Sequence, residues 1–123
     1  MGISWVNHKE NTILYIDVAN LTNDFDSLKI ELRSLVILLQ KEPKNSVLAV
    51  ADLRNTHLSN NALLALMSNA PLAAPYFQKS ALVIEPNRAR RIVLDTIGQF
   101  IGHIPKRFEN LEEAKDWLVD NQT

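Results

Sequence analysis

VLAVADLRNTHLSNNALLALM, residues 47–67, is the stretch that decides the fold. Val47–Val50 is a short apolar run bounded by Pro43 and Asn45, and it reads as a strand. Both of its faces are apolar, which suits a central position in a parallel sheet. Asp52 to Ser59 is polar and reads as a turn. Ser59 then stands before a run of Ala and Leu at helical spacing, the signature of a helix cap. Strand, turn and helix in that order are the unit of an α/β domain, in which groups at the carboxyl end of a central strand are the usual site of recognition or chemistry.

Outward from this unit the pattern repeats. Ile3–Asn7 and Thr12–Val18 are apolar or alternating, with the polar turn His8–Asn11 between them, and predict an antiparallel hairpin. Asp24 heads a helix to about Lys41, with Leu28, Leu32, Leu35 and Leu39 on one stripe, and Glu42-Pro43 ends it. The helix after Ser59 runs to about Ala70, where Pro71 and Pro75 break or kink it. Ser80–Ile84 predicts a fourth strand. Pro86 opens a third helix whose apolar face includes Ala89, Ile92, Val93 and Ile97, with Gly102 closing it. Lys106–Phe108 is a short edge strand. Asn110 caps a last helix, with Glu113 in capping-box position and Ala114, Trp117 and Leu118 on its buried stripe. Leu32, Leu35, Val50, Ile92 and Trp117 are the expected core. The fold class is α/β: one layered domain over residues 1–123, with a mixed, mostly parallel sheet of about five strands flanked by helices.

Composition narrows the function. The chain has 46% hydrophobic and 22% charged residues, an ordinary globular balance that needs no staples. It contains no cysteine, which removes disulfides, thiolate nucleophiles and thiolate metal sites. A net charge of −1 gives no bulk attraction to nucleic acid or acidic lipid. MGISWVNHKEN lacks the basic and apolar regions of a signal peptide, and no apolar run is long enough to span a bilayer. The expectation is a cytoplasmic protein with no membrane span, no cofactor and no nucleic-acid partner.

The element order and two motifs resemble the STAS family, the family of bacterial anti-anti-sigma factors and sulfate-transporter tails. The closest likeness is to its small branch grouped with CRAL-TRIO-like domains. One motif is the apolar strand ending in Asp52-Leu53-Arg54. The other is the closing segment Phe108-Glu109-Asn110-Leu111-Glu112-Glu113-Ala114-Lys115-Asp116-Trp117-Leu118. The resemblance implies a noncatalytic signalling domain that works through protein–protein interaction at the turn around residues 52–60. Partner-switching members carry Asp-Ser-Ser/Thr-Gly at the helix start and are phosphorylated on a hydroxyl of that motif. Here the stretch is Leu58-Ser59-Asn60-Asn61-Ala62. The glycine is missing, and Ser59 is the single hydroxyl that could take the phosphate.

Each candidate site has a plainer reading beside it. Ser59 as a phosphosite would place an anion on a helix N-terminus; as a cap it satisfies an amide while Leu58 staples onto Leu63. Asp52, Arg54, Thr56, His57 and Asn60 could bind a partner or ligand, since Arg grips carboxylate or phosphate and His titrates near neutrality. They also make an ordinary solvated turn with a local ion pair. Arg88, Arg90 and Arg91 read as a solvated helix face. Leu72–Phe77 is apolar, so Tyr76 and Phe77 either form a recognition patch or close the core. His8, His57 and His103 have no carboxylate at ligand spacing, so no metal is expected. No Gly-x-Ser-x-Gly elbow or Walker loop occurs. An interaction domain binding a regulatory protein is therefore the first expectation, and a carrier or sensor of a small apolar, lipid-like ligand the second. A homodimer stays open.

Overall fold

The computed structural model describes residues 2–17, 25–54, 60–84 and 106–120. Its elements are β1 (Ile3–His8), β2 (Asn11–Asp17), α1 (Phe25–Leu39), β3 (Val47–Asp52), α2 (Asn60–Ala73), a 3₁₀ turn (Ala74–Tyr76), β4 (Phe77–Val83), β5 (Lys106–Phe108) and α3 (Leu111–Leu118). The strands form one mixed sheet in the order β1-β2-β3-β4-β5. β1 is antiparallel to β2, and every other neighbouring pair is parallel. This is the expected α/β class. The expected third helix, with Arg88, Arg90, Arg91 and Ile92, lies outside the described residues, as do Val18, Asp24 and His103.

Two cores sandwich the sheet. Leu28, Leu32, Leu35 and Leu39 of α1 and Ala65 and Ala73 of α2 pack on Leu14, Ile16 and Ala49. Ala114 and Leu118 of α3 pack on the opposite face, against Ile13, Val50, Ala81 and Val83. The parity follows from the strand period of two: Ile13 and Leu14 are adjacent in sequence yet belong to different cores. Strand order equals chain order, so the β2–β3 and β3–β4 crossovers step in the same direction. Crossovers of one hand then place α1 and α2 on one face.

The β1–β2 hairpin turns on two residues, Lys9 and Glu10, both at positive φ (49° and 69°). A two-residue hairpin with this twist requires positive φ at both central positions, a conformation that Asn-Gly adopts more cheaply than Lys-Glu. Contacts from α3 hold it. Asp116 Oδ1 lies 2.7 Å from His8 Nε2 and 2.9 Å from Lys9 Nζ.

His8 and Asn11, expected in the turn, belong to β1 and β2, and α1 ends at Leu39; three further boundaries differ from the sequence reading. β3 continues through Ala51 and Asp52, so Asp52 ends the strand instead of opening the turn. α2 runs through Pro71 to Ala73. Pro71 cannot donate to the carbonyl four residues back and its ring crowds that carbonyl, yet the helix continues two residues beyond it. Ala73, buried at 4%, anchors the extra turn. β4 begins at Phe77 instead of Ser80, because the chain ahead of β3 already pairs with the chain ahead of β4: Asn45 N donates to Pro75 O at 2.9 Å and Ser46 N to Tyr76 O at 3.0 Å. A register shift between Val47 and Leu48 absorbs the extra residue.

α3 carries the expected cap. Asn110 Oδ1 accepts from Glu112 N at 2.8 Å and Glu113 N at 3.2 Å. Trp117, expected in the core, is only partly buried. Its ring packs at 5.8 Å from Phe108, with Lys79 Nζ 4.8 Å and Lys106 Nζ 5.5 Å from its centroid. The indole packs against the margin of the α3 core, beside Phe108 and within reach of two cations. No described helix is long and apolar enough to cross a membrane.

Candidate functional site

The carboxyl end of β3 holds a polar cluster. Asp52 is 4% exposed and is the one buried charged residue among those described. Both its oxygens are occupied. Arg54 reaches back from two residues on, donating Nε to Oδ1 at 2.9 Å and Nη2 to Oδ2 at 2.7 Å. The Arg54 amide adds a bond to Oδ1 at 3.2 Å. Tyr15 donates its hydroxyl to Oδ2 at 2.9 Å. The planar guanidinium fork fits a carboxylate bidentately, and the buried anion therefore meets a cation and two neutral donors.

Sheet register assembles this cluster. Tyr15 lies opposite Val50 in the parallel β2–β3 pair, and Asp52 is two residues further along the same face. Asp17 and Asp52 are themselves register partners. Leu53 N bonds to Val83 O at 2.8 Å, so the backbone beyond Asp52 remains sheet-bound until Arg54 leaves it.

The electrostatics are one-sided. Burial pushes the Asp52 carboxyl up, but hydrogen bonds from the Arg54 side chain and backbone and from Tyr15 outweigh it, and the group stays below the usual carboxylate range. Burial first, then the bond to Asp52 and the negative charges of Asp52 and Asp17, push the Tyr15 phenol up to about 12. The Arg54 guanidinium is held more firmly protonated by its bond to Asp52. At neutral pH the cluster is a carboxylate, a neutral phenol and a cation. Neither Asp52 nor Tyr15 is poised near neutrality as a general acid or base would be.

Of the candidate residues, the structure brings Asp52 and Arg54 together and adds Tyr15 and Asp17, which the sequence reading missed. The available signal was a tyrosine within the apolar run Ile13–Ile16, because a phenol on a buried strand needs a partner for its hydroxyl. Thr56, His57 and Ser59 lie outside the described residues, and of Asn60 only its place at the start of α2 is described. Tyr76 and Phe77 sit elsewhere. Tyr76 precedes β4 and Phe77 is its first residue, paired with Val47 at the amino end of β3, about 16 Å from Asp52 at 3.3 Å per residue. Both are half-buried against the α1–α2 core. Asp52 and the aromatic segment are thus at opposite ends of β3.

Among the described residues no group of three His, Cys, Asp or Glu could hold a metal. His8 is engaged with Asp116. Strand order never reverses among the described strands, so the crevice that such a reversal opens in doubly wound sheets is missing from this part of the fold. Comparisons with protein-family models, with curated proteins and with solved structures find no match for the chain.

Proposed function

We propose that this protein is a noncatalytic, STAS-like interaction domain that presents the segment from Arg54 into α2 to a regulatory protein. The observation that carries this reading is the Asp52 carboxylate. It is buried and saturated by Arg54 and Tyr15, so it shapes the exit from β3 and is not available for chemistry. The Arg54 side chain is 40% exposed and held in one orientation by that grip. A pre-oriented cation at a strand end is suited to recognition of an acidic partner surface. Ser59, five residues further on in sequence, is the residue on which phosphorylation would add about −1.5 to −2 charges.

Native mass spectrometry of the protein isolated from its own host tests the reading. The expected result is a stoichiometric protein partner or a one-phosphate increment, lost in Arg54→Ala or Ser59→Ala respectively while the fold persists. A retained lipid-like mass, unaffected by either substitution, overturns it in favour of the apolar-ligand carrier.

A further inference from the structure

The two edges of the sheet are built differently. β5 is three residues long and exposes Lys106 and Arg107, the short charged edge by which natural sheets avoid pairing with another chain. β1 has none of these guards. It is six residues, ISWVNH, with no proline, lysine or carboxylate, and it pairs with β2 without a bulge from Ile3 to His8. Among the described residues no strand lies beyond it. Its centre carries Trp5, 40% exposed.

The hydrogen-bond phase of this edge can be read directly. Gly2 and Asp17 stand opposite each other by register, and Asp17 N donates to Gly2 O. In an antiparallel ladder bonded and non-bonded pairs alternate, so Gly2, Ser4, Val6 and His8 turn their backbone groups toward β2. Ile3, Trp5 and Asn7 turn theirs outward. This outward set is symmetric about Trp5.

We infer that β1 is a homodimerisation edge, on which a second copy of this chain pairs its own β1 antiparallel about a two-fold axis through Trp5. Ile3 then bonds with Asn7 of the other copy, and Trp5 with its own counterpart. An axis normal to the sheet keeps each face continuous. Trp5 lies opposite Leu14, a member of the α1–α2 core, so both indoles emerge on that face and meet across the axis. Strand-edge pairing of two identical patches satisfies the self-complementarity of a two-fold interface. The hairpin is already fixed by His8 and Lys9 on Asp116, so little ordering accompanies binding. A net charge of −1 raises no barrier between copies. The contact is one strand wide, and the dimer is accordingly weak and concentration-dependent.

Sedimentation equilibrium of the full chain from about 10 μM to about 1 mM covers the range for so small an interface. The weight-average mass is expected to rise from monomer toward dimer, and Trp5→Lys, which sets two like charges across the axis, to stay monomeric with an unchanged circular dichroism spectrum. The lack of native cysteine allows a register test that leaves Trp5 in place. Residues in a bonded antiparallel pair have Cα atoms about 5.5 Å apart, within disulfide reach. Under mild oxidation, Ile3→Cys mixed with mass-labelled Asn7→Cys should give the mixed disulfide in at least about tenfold excess over either like pair, since like pairs are out of reach in this register. A monomer throughout the range overturns the inference. So does a dimer in which the mixed disulfide is not enriched, which would place the contact on another surface or another register.

Discussion

Tyr15 and Asp52 lie 37 residues apart in the chain and share a hydrogen bond of 2.9 Å across neighbouring parallel strands. The bond ties the carboxyl ends of β2 and β3 together under the point where the chain departs toward α2. Arg54 binds both oxygens of the same carboxylate. The carboxyl end of β3 is thus rooted in a buried polar knot.

Asp52→Ala removes the acceptor for Tyr15 and Arg54 together. A loss of about 1–3 kcal/mol is expected, the range for a buried donor left unsatisfied, toward the lower end because Arg54 can regain water. Asp52→Asn keeps an acceptor and should lose less. Urea unfolding midpoints of the two variants check the order.

The same knot sets the acid limb of stability. The folded carboxyl of Asp52 titrates below its unfolded value of about 3.9, so its contribution is complete above that pH and is lost as pH falls through the folded value. The stability gap between wild type and Asp52→Asn should therefore be constant near neutrality and shrink below about pH 4.

Tyr15 acts at the other extreme. Its folded pKa of about 12 exceeds the unfolded value of about 10, so its contribution is full below pH 10 and disappears as pH rises through 12. The chain has two tyrosines. In Tyr76→Phe the tyrosinate absorbance reports Tyr15 alone, and its midpoint is expected near 12. In the Tyr76→Phe/Asp52→Asn double variant it should move down toward 10.

The hairpin tip offers a stabilising change. Glu10 sits at φ 69°, a conformation that costs a non-glycine residue about 1 kcal/mol or more. Glu10→Gly should raise the melting temperature while leaving the Lys9–Asp116 contact intact. Lys9→Ala should lower stability by less than about 1 kcal/mol, because that pair is exposed.

Leu35 is 6% exposed in the α1 stripe, and Leu35→Ala is expected to cost about 2–5 kcal/mol. Asn110→Ala removes the acceptor for two amides of α3 and should cost about 0.5–2 kcal/mol. Thermal and urea unfolding of each separates a cavity from a lost cap by magnitude.

What the sequence by itself determined is what depends on neighbours along the chain. The leucine stripe of α1, the alternation in β2, the apolar run of β3 and the Asn110 cap are all set by residues within four positions of one another, and each was legible as written. Tertiary structure decided what depends on register and packing. Tyr15 belongs to the Asp52 site because a parallel pairing aligns it with Val50. Phe77 starts a strand because Asn45 and Ser46 pair with the residues just before it. Trp117 lies at the margin of the core, packed beside Phe108 with Lys79 and Lys106 near its ring. The aromatic segment read from sequence as either a patch or part of the core, and only the pairing of Phe77 with Val47 set it at the end of β3 opposite Asp52. Periodicity reports which face a residue occupies, but contacts between distant residues arise only once strands have chosen their partners.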